Sequence, residues 1–254
     1  MTPYSIVDGP VDAPVLVLAN SLGTTVDMWE PQVPALVERY RVVRFDTRGH
    51  GRSAVPPGPY TIGDLGGDVL ALLDELGVAR AHFCGLSMGG MVGMWLAAHA
   101  PERIDRLVLC CTSARPGTPD AWAHRAAIVR SEGTSAIADL VVSRWLTPEY
   151  AYRQPDLVAR LRAMLTATPA EGYASCCGAL EGLDLTAALP RIAAPTLVLH
   201  GADDPAFAPS HGADIAAAVP GARLALVRDA AHLANVEQAG AVTTLIVEHL
   251  GGNG

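Results

Sequence analysis

No apolar run in this chain of 254 residues approaches the roughly 20 needed to cross a bilayer, although half of its residues are hydrophobic. Nor does the N-terminus carry a basic segment followed by an apolar one, the mark of a secretory leader, so a cytoplasmic protein with no membrane partner is expected. Cysteine is sparse and poorly placed for scaffolding: five residues, an odd number, with two adjacent pairs at Cys110-Cys111 and Cys176-Cys177. That pattern frames no disulfide network and shows no metal-ligand spacing. Buried reduced thiols and no metal are the expectation. Basic residues are the minority, 18 against 26 acidic, for a net charge of −8, which argues against nucleic acid or an anionic membrane as a partner. A small anionic substrate stays open, because a pocket can be locally cationic on an acidic protein.

Against these absences stands a nucleophile motif in a suitable setting. Gly85-x-Ser87-x-Gly89 lies between a strand-like run, Ala81–Cys84, and a helix-like run, Met91–Ala100. So sharp a strand-to-helix turn forces Ser87 into a strained backbone, and glycine at 85 and 89 avoids the collision a Cβ would make with the neighbouring strand or helix. The hydroxyl is then exposed above a sheet, at a helix N-terminus whose dipole favours developing negative charge. Partners follow further along. The strand-like Thr196–His200 runs into Gly201-Ala202-Asp203-Asp204-Pro205, and Ala222–Val227 leads into Asp229-Ala230-Ala231-His232. Of eight histidines, only His232 falls in the loop after the last strand; His211, just beyond the acid, could approach the site but has the wrong strand context. The order is serine, acid, histidine. Asp203 and Asp204 are both candidates for the acid. Only one can meet the imidazole Nδ1–H, which leaves the other as a turn residue.

Short apolar runs at Val15–Leu18, Arg41–Phe45, Ala81–Cys84, Arg106–Cys110, Thr196–His200 and Arg223–Val227 do not alternate, as expected of strands buried on both faces. Tyr4–Val7 adds a candidate antiparallel edge. Helical patterns at Ile62–Leu76, Met91–Ala100, Gly212–Val219 and Ala239–Leu250 separate most of them, which predicts a mostly parallel, doubly wound α/β sheet with its site at the strands' C-terminal ends. The gap from Cys111 to Ala194 carries only helical patterns, at Ala121–Glu132, Ser135–Trp145, Pro155–Leu165 and Ala170–Leu180. The expected division is a core of residues 1–113 and 185–254 with a helical cap at 114–184. Such a cap excludes water and selects substrates.

Several longer segments resemble the 3-oxoadipate enol-lactonases of the α/β-hydrolase superfamily. They are the run from Gly85 through Ala97, Pro101-Glu102-Arg103-Ile104-Asp105-Arg106, Arg144-Trp145-Leu146-Thr147-Pro148, Tyr173-Ala174-Ser175-Cys176-Cys177, and His200-Gly201-Ala202-Asp203-Asp204-Pro205. The likeness extends over nearly the whole chain from Val15; at Ala206-Phe207-Ala208-Pro209 the chain departs from the Thr-Pro-Pro run usual in the family. The resemblance implies an α/β-hydrolase fold and a serine hydrolase acting on a carboxylic ester, namely a small anionic enol-lactone that is opened to 3-oxoadipate in aromatic catabolism. It implies catalytic Ser87, Asp204 and His232, with the acid four residues after the strand's last histidine. It also implies an oxyanion hole from the N–H groups of Met88 and, where relatives carry His-Gly in place of Asn20-Ser21, of Leu22. No cofactor is implied. The substrate's carboxylate needs a cation if it is buried; Arg144 and Trp145, on the helix expected to end before Pro148, are the substrate-binding candidates, and Arg125, Arg130 and Arg153 are alternatives for the cation. Helical neighbours diverge by about 100°, so one of Arg144 and Trp145 should face the pocket and the other not. The same residues would serve another carboxylesterase or lactonase or a cofactor-free perhydrolase, and a non-enzymatic receptor on this fold is a more distant alternative.

Overall fold

Seven strands pair into one sheet in the computed structural model, which describes residues 1–252. In chain order the elements begin β1 (Ser5–Asp8), β2 (Val15–Ala19), a short α1 (Val33–Leu36), β3 (Arg41–Phe45), α2 (Ile62–Glu75), β4 (Ala81–Leu86), α3 (Met88–His99) and β5 (Ile104–Cys110). Helices alone follow: α4 (Pro119–Glu132), α5 (Ala138–Val142), α6 (Pro148–Arg153), α7 (Pro155–Thr166) and α8 (Ala170–Leu180). The alternation then resumes with β6 (Thr196–Gly201), α9 (Pro209–Ala218), β7 (Arg223–Val227), α10 (Ala234–Glu237) and α11 (Ala239–Gly251). None of the helices among the described residues is long and apolar enough to cross a membrane. All five cysteines are buried and unbridged; Cys84 Sγ and Cys110 Sγ lie 3.9 Å apart.

The strand order is β1-β3-β2-β4-β5-β6-β7, parallel throughout except for β1, which runs antiparallel to β3 with Ser5 opposite Phe45. From β2 the chain steps outward to β3, then crosses back to place β4 on the other flank of β2, with Ala19 opposite Gly85. This reversal opens a crevice at the C-terminal ends of β2 and β4, where ligands bind in sheets of this kind. The two loops that leave those strands carry Leu22 and Ser87.

The central strands are covered on both faces, as their unbroken apolar runs imply: Leu16, Leu18, Val43, Phe83 and Val108 have no accessible surface. α3 is apolar around most of its circumference because it packs against the sheet and against α2, whose start is held by a reciprocal Thr61–Asp64 capping box. β7 departs from the expectation. Its residues are largely exposed, with Leu226 half accessible, because β7 is an edge strand with β6 on one side only.

Helix boundaries differ from the expectation at two places that matter for function. α3 begins at Met88 rather than Met91; Gly89 and Gly90 lower helical propensity but are needed for close packing. The helix expected over Ser135–Trp145 is a 3-10 turn at Thr134–Ile137 followed by the short α5, which ends at Val142 and gives way to a turn over residues 143–145. Arg144 and Trp145 therefore sit in a turn. The short α6 behind it, which the sequence reading did not include, is N-capped by Thr147, with Pro148 at its first position, where a missing N–H costs nothing.

Candidate active site

Ser87 stands at the junction of β4 and α3 with φ 57° and ψ −116°, a left-handed φ that few side-chain-bearing residues adopt. The strain is held by hydrogen bonds on every side. Ser87 N–H donates to Cys110 O at 2.9 Å, Ser87 O accepts from Thr112 Oγ1 at 2.7 Å, and Gly89 N–H donates to Asn20 O at 3.0 Å. A Cβ on Gly85 would run into the Gly89 carbonyl, and one on Gly89 into the Ala19 carbonyl. Both glycines are thus demanded by the approach of two backbones.

His232 lies in the loop after β7, buried, with Nδ1 at 2.9 Å from Asp204 Oδ2. The other carboxylate oxygen, Oδ1, accepts the N–H groups of Ala206 at 2.8 Å and Phe207 at 3.1 Å. With its oxygens so engaged, Asp204 receives Nδ1–H and leaves Nε2 of the imidazole pointing elsewhere as a base. Asp203 is exposed, and its backbone N–H donates to Ala230 O. Phe207 packs edge-on against the His232 ring, centroids 5.6 Å apart, and edge-on against His211 at the same distance. His211 itself binds Ser113 Oγ at 2.8 Å and is absent from the cavity wall. His200, behind the acid, is held neutral by burial; its Nε2 meets Phe207 O at 2.9 Å.

Ser87 and His232 line one cavity of about 210 Å³, together with Ser21 and Leu22 from the loop after β2 and with residues of the inserted helices. In that loop Ser21 N–H donates to Met28 Sδ at 3.3 Å and Gly23 N–H to His50 Nε2 at 2.9 Å, and Asn20 Nδ2 donates to Phe45 O at 2.7 Å. The N–H of Leu22, between two satisfied neighbours, has no acceptor among the described residues, and neither has the N–H of Met88 at the start of α3. Two unspent donors at the mouth of a strained serine can receive an oxyanion.

The match of the whole chain to known proteins decides the family. A family model for the alpha/beta hydrolase fold matches residues 14–139. The chain is 44% identical to 3-oxoadipate enol-lactonase 2 of Acinetobacter baylyi over 91% of this chain and 86% of that protein. Its fold superposes on the enol-lactonase from Burkholderia xenovorans LB400 with a TM-score of 0.96 at 48% identity, covering 98% of this chain and 96% of the other. A thermophilic, malate-bound esterase from Thermogutta terrifontis is similar at 33% identity, with a TM-score of 0.91 over 97% of this chain and 92% of that one. The chain is an α/β-hydrolase of the enol-lactonase family. It is a hydrolase acting on carboxylic ester bonds.

The hydrolase has no lysine, so every fixed side-chain cation is an arginine or a protonated histidine. Arg125 and Arg144 line the cavity with Trp145, Trp122 and Tyr173. Arg125 stacks over the Trp122 ring at 4.8 Å, and among the described residues neither arginine has a carboxylate partner. The other candidates are engaged outside the cavity, Arg130 with Glu171 at 3.0 Å and Arg153 with Glu149 at 2.9 Å. Arg144 and Trp145 both face the cavity, contrary to the helical expectation, because a turn does not impose the 100° step between neighbours. Sequence reasoning missed His50 as the anchor of the Leu22 loop. Its partner is 27 residues away, and the local Arg-Gly-His-Gly-Arg run carries no sign of it.

His50 is fully enclosed. It accepts from Gly23 through Nε2, which leaves Nδ1–H to donate to Arg48 O at 3.2 Å. Burial pushes its pKa from 6.5 down to about 4. Between about pH 6.5 and about 4 the unfolded chain takes up a proton that the folded chain refuses, so stability falls as pH falls, by about 3 kcal/mol across that window for this one group. Denaturant titrations from pH 8 to 4 should show the decline in the native protein and a shallower one in His50→Gln; parallel curves would remove His50 from the account. The acid is tested by amide substitution. Asp204→Asn should lower kcat by roughly 10⁴-fold, since it presents the wrong partner to the imidazole, and Asp203→Asn should change it little; the opposite ranking in steady-state kinetics would move the acid to Asp203.

Proposed function

We propose that this protein opens 3-oxoadipate enol-lactone to 3-oxoadipate through a serine acyl-enzyme. The observation that carries the reading is a single cavity lined by Ser87, by His232, whose Nδ1 is met from behind by the buried Asp204, and by two arginines without carboxylate partners. The named activity of the A. baylyi relative supports it. His232 removes the Ser87 proton as Oγ attacks the lactone carbonyl, and Asp204 stabilises the imidazolium that forms. The N–H groups of Leu22 and Met88 receive the oxyanion of the tetrahedral intermediate. Its collapse breaks the acyl–oxygen bond and expels an enolate, which takes a proton and becomes a ketone while still tethered through the new ester. Water, activated by His232, then attacks that ester; the carboxylate product leaves and Ser87 regains its proton.

In this reading residues 114–184 act as a cap on a core of 1–113 and 185–254. All seven strands lie outside the insertion, and its two ends are joined where Leu185 N–H donates to Ala114 O at 2.9 Å. Trp145 gives the flat lactone ring an aromatic wall, and Arg144 and Arg125 take the side-chain carboxylate. A cationic patch facing the serine suits a carboxylate-bearing lactone better than a neutral ester. The chemistry is assigned to protein groups alone, with no cofactor and no nucleic-acid or membrane partner, and with a place in the cytoplasm.

The deciding experiment is a spectrophotometric assay of freshly generated enol-lactone. The native protein should open it, and Ser87→Ala should lose roughly 10⁴-fold or more in kcat. Arg144→Ala and Arg125→Ala should raise KM for the charged lactone by about 10- to 100-fold, the loss of a charge-assisted bond, with a much smaller effect on a neutral aryl ester. Equal losses on both substrates would show that neither arginine reads the carboxylate.

A further inference from the structure

One buried carboxylate outside the proposed triad joins the two halves of the site. Glu237 ends the short α10, five residues after His232, with 6% of its surface exposed. Its Oε2 accepts the N–H of Ala231 at 2.9 Å, on the residue just before the histidine. Its Oε1 accepts the N–H of Thr147 at 3.1 Å and the Thr147 hydroxyl, and Oε2 lies 3.2 Å from the same N–H. Thr147 closes the turn that carries Arg144 and Trp145. The same two segments are joined again where Leu233 N–H donates to Trp145 O at 2.8 Å. The backbone N–H groups on both sides of His232 are therefore spent on this bridge, one on Glu237 and one on the arginine-bearing turn.

A charged group is a costly choice at this place. No cation pairs with Glu237 among the described residues, and the surface groove beside it also holds Asp203, Asp229 and Glu149, with Arg153 already engaged by Glu149. It sits, moreover, at a helix C-terminus, where negative charge is disfavoured. A glutamine would avoid the charge, but its one acceptor oxygen has two lone pairs, fewer than the three donors that the carboxylate receives, the N–H groups of Ala231 and Thr147 and the Thr147 hydroxyl. The carboxylate thus answers the need to accept from Ala231 and from both Thr147 donors at once.

We propose that Glu237 is a positioning residue that sets the His232 loop and the Arg144–Trp145 turn in a fixed relation, so that the orientation of the base and the reading of the substrate's carboxylate are maintained by one group. This rests on the function proposed above for the same cavity. Loss of the bridge frees the histidine loop and the turn to drift independently, and small displacements of catalytic or clamping groups are expensive in rate.

The test is the kinetics of Glu237→Gln, Thr147→Val and Thr147→Ser on 3-oxoadipate enol-lactone and on neutral p-nitrophenyl acetate, each normalised to the serine titrated by an organophosphonate. Glu237→Gln should lower kcat on both esters by about tenfold or more and raise KM for the charged lactone by about fivefold or more, with no comparable KM rise for the acetate. Thr147→Val should reproduce the KM rise, and Thr147→Ser, which keeps both donors, should return KM to within about twofold of the native value. Retention of native kcat and KM per titrated serine by both Glu237→Gln and Thr147→Val, with only a lowered Tm, would reduce Glu237 to a stabilising group and overturn the proposal. Should Glu237→Gln not fold, the Thr147 pair decides: selective loss and rescue support the bridge, and native kinetics in Thr147→Val overturn it. A native protein that cleaves the acetate but not the lactone would defeat the proposed function; kcat on the acetate would still read the link to His232, a drop in Glu237→Gln supporting it and no change overturning it.

Discussion

The site depends on one close approach, that of the α3 backbone to the C-terminal ends of β2 and β4. Ser87, buried but lining the cavity above the sheet, reaches it only because the chain reverses there within a few residues, and it can reverse so sharply only where Gly85 and Gly89 have no Cβ to collide with the carbonyls of Gly89 and Ala19. The same approach brings Asn20 O onto Gly89 N–H, fixing the loop after β2 against the start of α3. The segments that carry the unsatisfied N–H groups of Leu22 and Met88, distant in sequence, are thereby tied to each other through backbone. A left-handed φ at Ser87 is the local cost, and the hydrogen bonds that Ser87 donates to Cys110 O and accepts from Thr112 Oγ1 offset it.

The electrostatics of the cavity run against those of the molecule. A chain with net charge −8 and no lysine places two arginines without carboxylate partners, among the described residues, in the cavity that Ser87 lines. Guanidinium is the suitable cation for this work, because its planar donors can grip a carboxylate through two bonds and its weak hydration tolerates stacking on an aromatic face, as Arg125 does on Trp122. Two buried histidines nearby, His50 and His200, are kept neutral. Burial lowers the pKa of His50 and His200, and each has one ring nitrogen committed to a backbone carbonyl, Arg48 O and Phe207 O respectively.

Function at such a site requires parts that come from opposite ends of the chain to keep a common register. In the proposed mechanism the nucleophile Ser87 follows β4, the acid Asp204 follows β6, the base His232 follows β7 and the two arginines lie in the helical insertion. The sheet aligns the first three, since parallel strands deliver all their C-terminal loops to one edge. The insertion has no strand in the sheet and needs separate ties, among them the contacts of Leu185 with Ala114, Leu233 with Trp145, and Thr147 with Glu237.

Much of this architecture was legible in the chain because its signals are local. Strands buried on both faces read as unbroken apolar runs, so Val15–Leu18 and Thr196–His200 fall one residue short of β2 and β6, and the glycine spacing around Ser87 encodes a steric need met within five residues. The spacing of strand and loop also singled out His232 among eight histidines. Nothing local told that β7 would be an edge strand with exposed side chains, because exposure depends on which strand lies beside it. Nor could periodicity place Arg144 and Trp145, since short apolar patterns suit a helix and a turn equally, and contacts with the His232 loop settled the matter. Asp203 and Asp204 have nearly the same local setting; the direction of one side chain toward an imidazole 28 residues away separates them. Sequence alone determined the layers and the strand-turn-helix setting of Ser87, because backbone sterics and burial act between neighbours. Tertiary structure alone decided which carboxylate meets the His232 ring, which arginines line the cavity and which buried histidine anchors the Leu22 loop, because hydrogen bonds and charges act through space and carry no sequence period.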